Sequence, residues 1–188
     1  MEDKVKEHHV CPWYLAYTFD NPLRNLAHEP KKLLSPYVKA GMRVLDIGCG
    51  MGYFSIGMAK LVGDSGHITS VDLQPKMLEV LTKRAKCAGV ANRITPVLCK
   101  ENSLEVTEKV DFVLAFWVVH EMPDQNGLFK QVSAMLNPGA KMFIAEPKMH
   151  VKEKDFKASI ETANEHGLFL VETPKVFMSQ SAVLMLNK

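Results

Sequence analysis

Read for polarity alone, the chain alternates between short apolar runs and longer amphipathic stretches. The apolar runs are Val44–Ile47, Ile68–Asp72, Ile94–Leu98, Asp111–Phe116 and Lys141–Glu146. Nearly continuous runs of this kind read as strands buried on both faces, the signature of a parallel sheet. Between them the apolar positions take helical spacing. Phe54, Met58, Leu61 and Val62 mark one helix, and Met77, Leu78, Leu81 and Ala85 a second. Leu128, Phe129, Val132 and Leu136 mark a third, and Phe156, Ile160 and Ala163 a fourth. Punctuation agrees with this pattern: Pro75 suits a first helical turn, Gly89 a helix end and Asp124 an N-cap. Asn137-Pro138-Gly139 reads as a turn and Pro147 as a strand stop.

The two ends differ from this rhythm. Past Gly167, residues 168–177 and 181–186 are β-rich runs with no helix between them, so they predict a closing antiparallel hairpin. Residues 22–39 read as one or two short helices, with Pro30 and Pro36 as starts or breaks. Residues 1–21 form an arm that carries Trp13, Tyr14, Tyr17 and Phe19. Those aromatics either close the end of the core or form a lid over a ligand. The expectation is a single α/β domain over 1–188, with 1–39 the arm and helices and 40–188 the core. Its sheet should be doubly wound, built from five βα units and the hairpin.

The chemistry is concentrated after the first strand, where Asp46 is followed by Gly48, Gly50 and Gly52. A strand, a glycine turn and a helix N-terminus make a nucleotide-type site at the end of a parallel sheet. A dinucleotide fingerprint wants a third glycine where this chain has Tyr53. A carboxylate at Asp46 would also repel a pyrophosphate, so NAD and a dehydrogenase are disfavoured. Asp46 suits a cationic group instead, such as the α-ammonium of a methionine moiety. Asp72, at a strand end expected to face solvent, has the chemistry to accept both hydroxyls of a ribose.

With "VLDIGCGMGYFS" and "VDLQPKML" as first and second motifs, and Trp117–Met122 as a fourth, the chain resembles the class I S-adenosylmethionine-dependent methyltransferases of the small-molecule type. The resemblance implies a Rossmann-like, seven-stranded, mostly parallel sheet with a C-terminal antiparallel hairpin. It implies S-adenosyl-L-methionine as methyl donor and S-adenosyl-L-homocysteine as product. Asp46, Gly48 and Gly50 would hold the methionine end, Asp72 the ribose, and Leu73 would pack on the adenine. Phe116 or Trp117 would lie near the sulfonium, where an aromatic face attracts a cation. The family's Gly-Asp-Ala-type turn, which meets the adenine amine, is replaced by Cys99–Leu104, leaving Glu101 or Asn102 to substitute. In this family N-terminal segments also cover the methionine end, which would put Trp13, Tyr14 and Tyr17 in the substrate pocket.

Ligands of open α/β sheets lie beyond the carboxyl ends of the strands. The loops after the fourth and fifth strands there supply His120, Glu121, Glu146, Lys148 and His150. His120 is the candidate general base, since an imidazole titrates at about 6.5. The alternative is a structural histidine bonded to a backbone carbonyl. Glu146 is expected to face the substrate pocket, with His150 in the loop beyond it. No metal is expected: His8, His9 and Cys11 lack a fourth ligand nearby, and the four cysteines form no CxxC pair. Cys49 reads as a small apolar filler within the glycine turn.

A formal net charge of +2 with no dense basic block argues against a nucleic-acid partner, as does the lack of an Asn/Asp-Pro-Pro-Tyr motif. No apolar run approaches the ~20 residues needed to span a bilayer, and the N-terminus lacks a signal-like apolar segment. The expectation is therefore a cytoplasmic monomer or homodimer acting on a small-molecule acceptor. The reading from a different class is a protein- or RNA-directed methyltransferase, or a cofactor-binding subunit of a methyltransferase complex.

Overall fold

In the computed structural model, which describes residues 27–187, each continuous apolar run becomes a strand. The strands are β1 (Arg43–Ile47), β2 (His67–Asp72), β3 (Ile94–Leu98), β4 (Val110–Phe116), β5 (Leu136–Pro147), β6 (Leu168–Glu172) and β7 (Ser179–Leu186). They form one sheet in the order β3-β2-β1-β4-β5-β7-β6. The first five run parallel, and β7 pairs antiparallel with both β5 and β6. The helices are α1 (Pro30–Leu34), α2 (Tyr53–Val62), α3 (Pro75–Cys87), α4 (Gln125–Met135) and α5 (Glu153–Glu165). The arm that carries Trp13, Tyr14, Tyr17 and Phe19, with His8, His9 and Cys11, lies outside the described residues.

Each face of the sheet has its own core. Phe54, Met58, Leu81 and Leu34 cover one side, packed on Phe112, Leu114 and Phe143. Phe129, Val132, Phe156 and Ile160 cover the other, packed on Leu45, Val113 and Met142. Both faces are thus apolar, which is why the strands read as continuous rather than alternating. Tyr37 ties the segment after α1 to this body. It stacks on Phe112 with ring centroids 6.1 Å apart and donates to Glu172 Oε2 at 2.8 Å. Burial, then the Glu172 hydrogen bond, push its phenol up to about 12.

Three expectations are corrected. The chain has four βα units rather than five, because β3 passes to β4 without a helix. That connection offers only Leu104, buried, and Val106, packed beside it, among many charges, too few apolar side chains for a helical face. Next, Asn137-Pro138-Gly139 is not a turn before β5 but an irregularity within it. Val110 faces Leu136 while Phe112 faces Lys141, so β5 carries extra residues there. Asp111 fastens the irregularity, accepting from Asn137 Nδ2 at 2.7 Å and from Arg43 N at 2.9 Å. Finally, β6 stops at Glu172 rather than continuing to Phe177. Pro174 follows closely, and a proline has no N–H to continue a ladder.

The glycine turn crosses the end of β2, with Cys49 N–H bonded to Val71 O at 3.0 Å. Gly48 and Gly50 both take left-handed backbone conformations, φ +64° and +52°. They differ in surroundings. A Cβ on Gly48 would meet Val118 Cγ2 at 2.4 Å, whereas one on Gly50 would meet nothing within 4 Å. Gly48→Ala should therefore combine left-handed strain with overpacking and cost about 3–4 kcal/mol, and Gly50→Ala strain alone, about 1–2 kcal/mol. Urea unfolding of the two variants should reproduce that order. Equal midpoints would contradict it.

Candidate active site

The ends of β1, β2, β4 and β5 lie side by side, because Ile47 faces both Val71 and Ala115, and Phe116 faces Ala145. Whatever follows those strands converges on one edge of the sheet.

Asp72 is the hinge of the β1–β2 half. Its Oδ2 accepts from Gly50 N at 2.8 Å and its Oδ1 from Gln74 N at 2.9 Å. The expected solvent-facing position is corrected: Asp72 is 8% exposed. The reason is geometric, since the glycine turn folds back over the end of β2 and lays its N–H on the carboxylate. Burial raises the carboxyl above its ordinary 3.8, against the pull of backbone donors at Gln74, Gly50 and Leu73. A carboxylate has about four acceptor positions, so its backbone donors do not fill it.

Asp46 lies behind the turn, buried, and accepts from Ser55 Oγ at 2.5 Å. Ser70 Oγ donates to Ser55 in turn at 3.0 Å. The carboxylate thus anchors the first turn of α2. Cys49 is buried with an apolar cluster, in keeping with a filler. Burial, then the charges of Asp46 and Asp72, push its thiol well above the ordinary range. Leu73, Cys99, Glu101 and Asn102 border a small open cleft. Glu101 and Asn102 form the exposed tip of its wall.

The β4–β5 half holds the titratable cluster. Val119–Glu121 forms a single helical turn after β4. His120 Nδ1 bonds to Glu146 Oε2, while Val119 N donates to Glu146 Oε1 at 2.9 Å. His120 is therefore held by a carboxylate rather than by a backbone carbonyl. Glu146 is corrected from pocket lining to support, because it is 2% exposed and both its oxygens are engaged. Burial pushes the imidazole down. The hydrogen bond and charge of Glu146, with the charge of Glu121, outweigh it, so His120 titrates above its ordinary 6.5. The exposed His150 lies parallel to it, centroids 6.3 Å apart. Among the described residues, no group of three or more His, Cys, Asp or Glu is placed to hold a metal ion.

Phe116 and Trp117, either of which was expected near the sulfonium, lie side by side with ring centroids 5.4 Å apart. Phe116 packs on Phe54 at 4.4 Å, toward the glycine turn. Trp117 is anchored by two hydrogen bonds. Its N–H reaches Ala145 O at 2.7 Å and its Nε1 donates to Ser179 Oγ at 2.9 Å, so it stands over β5 and β7. His28, buried, meets both rings edge-on at 5.2 Å and bonds through Nε2 to Phe177 O at 2.9 Å. Sequence reasoning missed Ser55, His28 and Ser179. Only Ser55 left a signal, as a polar side chain between the apolar positions Phe54 and Met58 of an amphipathic helix.

Comparison with known proteins places this geometry. Residues 38–182 match the family model described as a methyltransferase domain. A ubiquinone biosynthesis O-methyltransferase of Rhizobium johnstonii is 31% identical over 73% of this chain and 53% of its own length. Another of that name, from Xanthomonas axonopodis pv. citri, is 29% identical over 71% of this chain and 55% of its own. The chain thus spans about half the length of these relatives. Among solved structures, a SAM-dependent methyltransferase from Aquifex aeolicus aligns with a TM-score of 0.84 at 20% identity, covering 94% of this chain and 100% of that one. Fibrillarin of Aeropyrum pernix, solved with natively bound S-adenosyl-L-methionine, aligns at 0.66 and 20%, covering 86% and 74%. At such identities the structures establish the Rossmann-like methyltransferase fold, and the family match adds membership: this chain belongs to the methyltransferase domain family.

Proposed function

We propose that this chain transfers the methyl group of S-adenosyl-L-methionine to a hydroxyl oxygen of a small molecule. The observation that carries the reading is the adjacency of two devices on neighbouring strand ends: the Gly50–Asp72 clasp and the His120–Glu146 dyad. The residues present fit the donor. Gly50 leaves open space above the turn, and Asp72 keeps acceptor capacity for a ribose. Leu73 offers an apolar edge for a base, and Asp46 sets a negative charge behind the turn. Oxygen as the accepting atom is supported by the O-methyltransferase names of the curated relatives. The cytoplasm as compartment, and a monomer or homodimer, remain part of the proposal.

When bound, the donor supplies a methyl group on a sulfonium, whose leaving group departs as a neutral thioether. The chain's task is alignment and proton removal. Glu146 accepts from Nδ1–H of His120, which fixes the tautomer and leaves Nε2 as the proton acceptor. The acceptor hydroxyl gives its proton to Nε2 as its oxygen forms the new bond to carbon. Trp117, held by Ala145 and Ser179, walls the acceptor side.

Two predictions test the halves separately. Asp72→Asn halves the acceptor capacity at the ribose, so calorimetric affinity for S-adenosylhomocysteine should fall at least tenfold in a folded protein. The carboxyl pKa is raised by folding, so the stability attached to Asp72 is full below 3.8 and declines as pH rises through the folded value. The stability of Asp72→Asn relative to wild type should therefore improve with rising pH across that window. Unchanged affinity, with no such trend, would remove Asp72 from the site.

The dyad is tested by pH. The base works when neutral, so kcat should rise with pH through an inflection above 6.5. His120→Asn should lower kcat by about 10²–10⁴. Glu146→Gln removes the influence that raises the pKa and leaves the burial that lowers it, so the inflection should move down. An unshifted profile in Glu146→Gln would exclude His120 as the base.

A further inference from the structure

The β3–β4 connection has no helix, yet the turn it carries beside the cleft is fixed. Lys100 and Ser103 exchange backbone bonds, Lys100 N to Ser103 O at 2.8 Å and Ser103 N to Lys100 O at 3.3 Å. Glu101 and Asn102 are left as an exposed tip. A two-residue tip on a single isolated bridge has little of its own to set its angle to the sheet. What sets it comes from α4. Gln131 accepts Leu104 N–H on Oε1 at 3.0 Å and donates from Nε2 to Asn102 O at 3.2 Å. The same Nε2 also reaches Gly127 O of its own helix at 3.2 Å. One amide therefore grips the turn on both sides of Ser103.

The turn is also joined to the ribose end, since Cys99 N–H bonds to Asp72 O at 3.1 Å. Its tip, Leu73 and Gln131 border the same cleft. The sequence reading gave Glu101 or Asn102 the task of meeting the adenine amine but offered nothing to hold them in place. The structure supplies that holder from an element far away in the chain.

We propose that Gln131 is the positioning residue for adenine recognition, taking the part that a helix after β3 would otherwise play. The inference rests on the reading that this chain binds S-adenosyl-L-methionine. An oxygen of Glu101 or Asn102 accepts from the exocyclic amine, and its placement follows from the Asn102 carbonyl and Leu104 amide that Gln131 holds. Glu105 completes the arrangement. It adopts φ +55°, with its N–H on Ser103 Oγ at 3.2 Å and its carboxylate on Lys100 at 3.1 Å.

The test is calorimetric titration of the full chain with S-adenosylhomocysteine and with S-inosylhomocysteine, which has an oxo group where adenine has its amine. Wild type should prefer the adenine ligand by about tenfold, the loss expected when an acceptor faces an acceptor. Gln131→Ala should weaken S-adenosylhomocysteine by about tenfold and leave the inosine analogue unchanged, so the preference collapses. General damage to the domain would weaken both ligands alike and would overturn the proposal. So would a preference retained in Gln131→Ala, or none in wild type. Gln131→Glu keeps an acceptor for Leu104 N–H and removes the donor to Asn102 O. Should the alanine variant fail to fold, a reduced preference in Gln131→Glu supports the role and an intact one overturns it. Failure of wild type to bind S-adenosylhomocysteine at all would instead strike the functional reading on which the inference rests.

Discussion

The site depends on one hydrogen bond, from Gly50 N–H to the buried carboxylate of Asp72. Three constraints meet in it. The turn can reach Asp72 only because Gly48 and Gly50 accept left-handed conformations and Val118 crowds against the bare Cα of Gly48. In this buried place backbone donors replace part of the water that an ionised carboxylate would hold. Folding nevertheless raises its pKa, so the ionised carboxylate is less favoured in the folded chain than in the unfolded one. Two ribose hydroxyls would supply the donors that the backbone does not.

Across the sheet the logic is reversed. Glu146 is more deeply buried than Asp72, but its oxygens are taken by Val119 N–H and by His120. It faces the imidazole rather than an incoming ligand. Its effect is to lift the pKa of a histidine that burial alone would depress. In the proposed reaction that keeps the base strong while fixing which nitrogen is presented. The stability contributed by protonated His120 is full below 6.5 and is lost as pH rises through the raised value. The range in which the base becomes active is thus the range in which the protonated pair stops contributing to the fold.

The strands and helices were legible because burial on both faces writes itself into sequence as continuous apolar runs and 3.6-residue spacing. The glycine turn was legible because Gly48, Gly50 and Gly52 stand at alternate positions just after an apolar run. Three kinds of feature were not. The helix-free connection after β3 gives no periodic signal, since Leu104 and Val106 do its packing. The irregularity at 137–139 has the composition of a turn, and only pairing with β4 shows that the strand continues through it. The roles of Glu146 and Gln131 are set by partners 26 to 29 residues away, His120 for the first and Asn102 and Leu104 for the second. No local pattern carries such a pairing.

Backbone strain points to the same edge of the molecule as the chemistry. Among the described residues, the non-glycine positions with φ in the left-handed region are Glu105, Trp117 and Met178. Glu105 follows β3 and Trp117 follows β4. Met178 immediately precedes β7, whose first residue, Ser179, faces Pro147 at the end of β5. All of them therefore lie beyond the carboxyl ends of the parallel strands, where the site is. A bulky side chain costs about 1–2 kcal/mol in that conformation, and it persists only where surrounding bonds over-determine it. Each of these residues has such bonds: Ser103 and Lys100 hold Glu105, Ala145 and Ser179 hold Trp117, and Lys148 N–H holds the Met178 carbonyl at 3.0 Å. At the opposite edge the left-handed positions are glycines, namely Gly41, Gly63, Gly89, Gly139 and Gly167. At the carboxyl edge glycines serve the turn after β1, while elsewhere side chains stand at left-handed positions and are tied down, and Trp117 is the largest side chain so held.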